Sequence, residues 1–249
     1  MKAALLLLAL IACSDRKSPP PAASTSVAVE KQLVIPKATK QLVIAVIDDW
    51  SSTHARVSLW QRKAAWQKLD EWPATIGKSG AAWGIGLHPP RTGPLKREGD
   101  GKSPAGVFAF RSTYGYANEA PKGWRMPYDS AVDLECINDP SSDHYAQIID
   151  RKQVPSDWQT AELMRREDEL YEWVVDIAHN PEAKPSAGSC IFLHVWGGPE
   201  SPTLGCTAME KQKLEALLGR LDPASQPLFV LLPRAEYQAV ADAWGLPAL

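Results

Sequence analysis

The chain has 249 residues, of which 45% are hydrophobic, 22% charged and 8% aromatic, a composition that fits one large or two small globular domains and excludes collagen, coiled coil and wholly disordered protein. Its formal charge of −2 argues against a nucleic-acid partner, whose phosphates need clustered Lys and Arg. Four Cys are too few for a disulfide scaffold and include no C-x-x-C pair, so zinc-ribbon spacing is missing, while 21 Pro and 16 Gly predict many turns.

Lys2 precedes an unbroken apolar run from residue 3 to residue 12. That is about half the roughly twenty residues a membrane-spanning helix needs, and it suits the apolar core of a signal peptide over residues 1–12. The run ends in Leu10-Ile11-Ala12-Cys13, which resembles the lipobox of bacterial lipoproteins. The resemblance implies that Cys13 is lipidated and that its acyl chains anchor the protein on a membrane. A plain secretory signal cut elsewhere and a mis-assigned start codon are the alternatives. Residues 13–40 read as a tether built around Pro19-Pro20-Pro21, extended and semi-rigid. The expected address is extracytoplasmic, on the periplasmic face of a bacterial membrane. Ser14 after the lipidated Cys favours the outer membrane.

Residues 41–249 read as one domain. Residues 42–47 are a continuous apolar run, the pattern of a buried strand, and residues 56–60 and 67–76 suggest two more. Residues 84–106 are rich in Gly and Pro and read as loop, with a short strand at 107–110. Residues 156–166 suggest a short helix capped by Ser156 or Asp157. Residues 171–177 and 189–195 alternate as strands do. Thr207 and Glu210 form a T-x-x-E capping box ahead of Leu214, Leu217, Leu218 and Leu221, one apolar helical face ended by Asp222-Pro223. A last strand at 228–232 precedes a closing amphipathic helix through Tyr237, Val240, Ala241 and Trp244, stopped by Gly245 and Pro247. The expected fold is mainly β, mostly antiparallel, with peripheral helices.

The chemistry concentrates between residues 189 and 210. Strand periodicity puts Cys190, Phe192 and His194 on one face. Cys206 follows immediately before Thr207, so a helix starting there predicts a depressed thiol pKa and, with a neighbouring imidazole, a reactive thiolate. The backbone amides of Gly205 and Cys206 are candidate oxyanion donors. The competing reading is an inert buried Cys and a structural His. A metal site has less support: HExxH is missing, and His194 with Cys206 supplies only two ligands.

The segment from Ser189-Cys190-Ile191-Phe192-Leu193-His194 through Pro202-Thr203-Leu204-Gly205-Cys206-Thr207-Ala208-Met209 resembles the catalytic signature of the YkuD-type L,D-transpeptidases, a strand-borne His followed by a Gly-rich loop and Ser/Thr-x-Gly-Cys. The block from Glu98 to Phe108, with Ser103-Pro104-Ala105-Gly106-Val107-Phe108, resembles the family's T/S-P-x-G-x-F turn, and Tyr114-Gly115-Tyr116 and Met126-Pro127-Tyr128 also suit it. The resemblance spans about residues 41–235. The chain departs from it at Leu204, where many members carry His, at Ala208, where many carry Arg, and in a shorter His-to-Cys gap, which points to a divergent branch.

The resemblance implies a YkuD-like β-sandwich or barrel and a peptidoglycan L,D-transpeptidase without metal or organic cofactor. Cys206 is the expected nucleophile, His194 the base, and peptidoglycan stem peptides the partners. It further implies acylation by carbapenems and a backbone carbonyl orienting the imidazole, for which residues 196–198 are the nearest candidates. Tyr114, Tyr116, Trp124, Trp196 and Thr203 are candidate groove residues. His88, His144 and His179 are rival bases without the strand–loop–Cys context. In an oxidising compartment Cys136 and Cys190 either form a disulfide or remain two free thiols. Alternative functions are an L,D-carboxypeptidase, a sortase-like or hydrolytic cysteine enzyme, and a non-catalytic wall-binding lipoprotein.

Overall fold

The computed structural model describes residues 34–249. The expected signal peptide, Cys13 and most of the tether lie outside the described residues. Among those residues the chain forms strands β1 (Gln41–Ile47), β2 (His54–Arg62), β3 (Trp66–Thr75), β4 (Ala81–Trp83), β5 (Ser103–Gly115), β6 (Tyr128–Ser130), β7 (Leu134–Ile137), β8 (Ile148–Asp150), β9 (Ala161–Leu163), β10 (Trp173–Ile177), β11 (Phe192–Val195), β12 (Thr207–Met209) and β13 (Leu228–Pro233). The helices are α1 (Lys211–Leu218) and α2 (Arg234–Trp244).

The domain is mainly β, and its strands close a barrel. Around the wall the order is β5, β10, β11, β12, β3, β2, β1, β13 and back to β5. Pairs β1–β13 and β11–β12 are parallel and the other barrel pairs antiparallel. Closure pairs the strand edges that an open sheet would leave exposed. Helix α2 packs on β1 and β13, burying Tyr237, Val240 and Trp244. Covered on both sides, β1 and β13 are buried along their whole length, which is why they read as unbroken apolar runs. Helix α1 buries Leu214, Leu217 and Leu218 and packs on β10 and β11.

Strands β7, β8 and β9 form a separate three-stranded sheet in the order β8-β7-β9. Strand β11 divides its side chains between two interiors. Leu193 and Val195 join the main core, while Phe192 joins a second, smaller cluster with Cys136, Met164, Tyr171, Val174 and Cys206.

Three expectations are corrected. The tether does not run to residue 40: Ile35 is fully buried, its amide donates to the Trp244 carbonyl at 2.9 Å, and the Lys40 amide donates to the Ser225 carbonyl at 2.7 Å. Residues 156–166 hold irregular, bent backbone and strand β9 instead of a helix. Asp157 caps nothing helical, and its carboxylate accepts from the Ser142 hydroxyl at 2.5 Å and the Asp143 amide at 3.0 Å. Pairing of β9 with β7, Glu162 opposite Cys136, overrides local helix propensity. The T-x-x-E box is not a cap either. Thr207 lies in β12, α1 starts at Lys211, and its N-cap Glu210 makes no side-chain cap bond. Strand β12 pairs with β11 and β3, so residues 207–209 are held by barrel closure rather than by a helix.

Candidate active site

A cleft of about 870 Å³ is lined by residues of β9, β11 and β12 and by the loops before β10 and β12, and both Cys206 and His194 line it. Parallel pairing sets His194 of β11 opposite Ala208 of β12. Two residues back along each chain, the Phe192 amide donates to Cys206 Sγ at 3.4 Å. Register and strand alternation thus bring the imidazole and the thiol to one wall. Both side chains are buried, His194 at 6% exposure and Cys206 at 7%.

The turn carrying Cys206 is fixed from below. The Cys206 carbonyl accepts from Thr203 Oγ1 at 2.7 Å and from Ser103 Oγ at 2.8 Å. Ser103 Oγ in turn accepts from the Gly77 amide at 2.9 Å. The two motif blocks of the sequence therefore meet at one peptide group. Gly205 has φ 155°, and a Cβ there would lie 3.1 Å from the Lys102 carbonyl, so a side chain would be strained in its backbone and crowded by that oxygen. On the other side, Cys190 adopts φ 53°, and its carbonyl accepts from the Cys206 thiol at 3.5 Å.

His194 Nδ1 lies 2.7 Å from the Val195 carbonyl. A carbonyl only accepts, so Nδ1 carries the proton and Nε2 keeps its lone pair. Val195, rather than residues 196–198, supplies the orienting carbonyl. Burial lowers the His194 pKa to about 4, leaving the ring neutral at pH 7. Burial, reinforced by the nearby Glu162 carboxyl, pushes the Cys206 thiol well above its ordinary range, against the smaller opposing effects of the Phe192 amide and Lys96. The expected depression by a helix start does not occur, because α1 begins five residues later. The pair rests as neutral thiol and neutral imidazole.

Of the expected oxyanion donors, the Gly205 amide is taken by Thr203 Oγ1 at 3.1 Å. Of the expected groove residues, Trp196 and Thr203 line the cleft. The other three do not. Tyr114 sits at the edge of the small cluster, the Tyr116 hydroxyl donates to the Asp168 carbonyl at 2.8 Å, and Trp124 stacks edge-on against Trp173 at 4.8 Å. Their positions on or beyond β5 direct them into packing and loop support. The rival bases have structural partners. His88 Nδ1 accepts from the Val107 amide at 3.1 Å, His179 bridges the Ile85 amide and the Ala187 carbonyl, and His144 packs against Trp158. Cys136 and Cys190 form a disulfide that ties β7 to the segment preceding β11, and Cys206 is the free cysteine among the described residues.

Sequence reasoning missed Glu162, Tyr171, Arg166 and Asp168, all of which line the cleft. Tyr171 donates to Glu162, Arg166 Nη2 pairs with Asp168 at 2.8 Å, and the Arg166 guanidinium lies 5.1 Å from the Tyr171 ring centre. Nothing local marks them: Glu162 falls in a stretch with helix-like pattern, and Tyr171 is one of several alternating residues. No protein-family model, curated protein or solved structure matches the chain.

Proposed function

We propose that the chain is a peptidoglycan L,D-transpeptidase that cross-links stem peptides through a thioacyl-enzyme on Cys206. The observation that carries the reading is the shared cleft wall of a free thiol and an imidazole whose Nδ1–H is held by a carbonyl, with Nε2 left to accept a proton. The closed β barrel and the meeting of both motif blocks at the Cys206 carbonyl agree with a YkuD-like domain. Anchorage by lipid at Cys13 is part of the same proposal.

In this reading the thiol gives its proton to His194 Nε2 as sulfur attacks the carbonyl that follows the L-centre of a diaminopimelate residue. The S–C bond forms, the C–N bond to the terminal D-amino acid breaks, and the imidazolium returns the proton to the leaving amine. The amine of a second stem then displaces sulfur, its proton passing by way of His194 to the departing thiolate, which completes the cross-link and restores the thiol. With a neutral thiol at rest, proton transfer and attack are coupled, because free thiolate is scarce. A wall-binding protein without turnover is the second reading, favoured by the deep burial of Cys206.

The test incubates residues 32–249 and its Cys206→Ala variant with disaccharide-peptides of different stem lengths, read by mass spectrometry. Dimers that depend on Cys206 are the expected result, and a carbapenem adduct on Cys206 would accompany them. Shortened monomers alone mean a carboxypeptidase. Binding without any Cys206-dependent product selects the second reading.

A further inference from the structure

Glu162 is a partly buried carboxyl that the thiol–imidazole chemistry leaves unused. It sits on β9, lines the cleft, and accepts a hydrogen bond from the Tyr171 hydroxyl. The Tyr171 ring packs edge-on against the His194 ring at 5.1 Å, and its side chain belongs to the same buried cluster as Cys206. One side chain thus joins the carboxyl, the imidazole and the thiol.

We propose that Glu162, acting through Tyr171, is a positioning residue that holds Cys206 as a thiol. The meaning of the inference rests on Cys206 being the nucleophile; its test does not.

The other charged groups facing the thiol leave the Glu162 charge standing. Lys96, on the loop before β5, is bound by Asp100 at 2.6 Å and by the Arg97 carbonyl at 2.6 Å. Arg166, on the loop before β10, is paired with Asp168 through Nε at 2.9 Å and Nη2 at 2.8 Å. Glu98 adds negative charge on the same side, with its carboxylate accepting from Tyr145 and Ser189. His194 on β11 is neutral. A carboxylate beside a thiol disfavours the thiolate, and by accepting the Tyr171 hydroxyl Glu162 competes for a donor that would otherwise favour it. Desolvation lifts Glu162 above the usual carboxylate range.

The experiment follows iodoacetamide alkylation of Cys206 in the full chain from about pH 5 to about pH 10, with the adduct located by peptide mass spectrometry. In the unmodified chain the rate should rise tenfold per pH unit, flatten where Glu162 ionises, then rise again. The flattening arises because each new carboxylate raises the thiol's pKa as the pH climbs. Glu162→Gln keeps an acceptor for Tyr171, should remove the flattening, and should react about tenfold faster at about pH 8. Tyr171→Phe deprives the charged carboxylate of a donor and should move the flattening to higher pH. An uninterrupted slope in the unmodified chain, which needs no variant to fold, overturns the inference. So does a folded Glu162→Gln chain that reacts no faster than the original. No stem peptide is present, so failure here leaves the transpeptidase reading standing, and failed turnover leaves this one standing.

Discussion

Strand β11 borders two interiors of different character. Leu193 and Val195 enter the main core, whose members are aliphatic and aromatic side chains from every barrel strand. On its other side Phe192 joins Cys206, Tyr171 and Met164, and beside them His194, Tyr171 and the partly buried Glu162 place titratable groups in one cleft. The main core gains stability from apolar area removed from water. The small cluster spends part of that gain on desolvating ionisable groups, which disfavours their charged forms and holds thiol and imidazole neutral. Stability and chemistry are thus assigned to opposite faces of the same four-residue strand.

The sharpest way to break this division is to damage each face separately. Phe229→Ala on β13, in the main core and 1% exposed, should cost about 3–5 kcal/mol in chemical denaturation. Cys206→Ala should abolish Cys206-dependent products while changing stability by only about 1 kcal/mol. If Cys206→Ala destabilises as much as Phe229→Ala, the small cluster is core and the division fails.

Removing the disulfide tests how the small sheet is held over the cleft. Cys136 and Cys190 are 54 residues apart, so a Cys136→Ser, Cys190→Ser chain should lose up to about 4 kcal/mol by loop-closure entropy. Hydrogen exchange should rise in β7–β9 before it rises in β1 and β13. Uniform acceleration through both sheets would show that the two regions unfold as one.

Acid titration sharpens the comparison further. Burial lowers His179 and His194 from 6.5 to about 4. Between those values the unfolded chain binds protons that the fold refuses, so stability falls as pH drops from about 6.5 toward about 4. Asp176 on β10, raised by burial to about 6, takes its proton earlier in the fold than in the unfolded chain and opposes that loss. Asp176→Asn should therefore steepen the fall by up to about 1.4 kcal/mol per pH unit over this window. Urea melts at successive pH values read this directly, and an unchanged slope would sink the argument.

The smallest effect is expected at the seam between the motif blocks. Ser103→Ala removes one of two hydroxyls on the Cys206 carbonyl and should cost about 1 kcal/mol. Alkylation of Cys206 should change as the turn loosens, whereas a loss of stability without any change at Cys206 would make Ser103 a core residue only.

Local pattern was enough for the apolar runs of β1 and β13, the leucine face of α1, the closing helix α2 with Gly245 in the left-handed C-cap conformation, and the candidate pair Cys206 and His194. Such features are written in neighbouring residues: period two, period 3.6, and a Gly-Cys turn after a strand-borne His. Tertiary structure alone decided the rest. Barrel closure turned Thr207–Met209 into a strand and so removed the helix start expected beside Cys206. Pairing of β9 with β7 made a strand of a segment with helix-like composition and carried Glu162 into the cleft that Cys206 lines. Burial, which depends on what the chain places overhead, fixed the charge state of Cys206 and His194. Helix and strand propensities are local and worth tenths of a kcal/mol per residue, whereas strand pairing and desolvation are set by residues distant in sequence and are worth several.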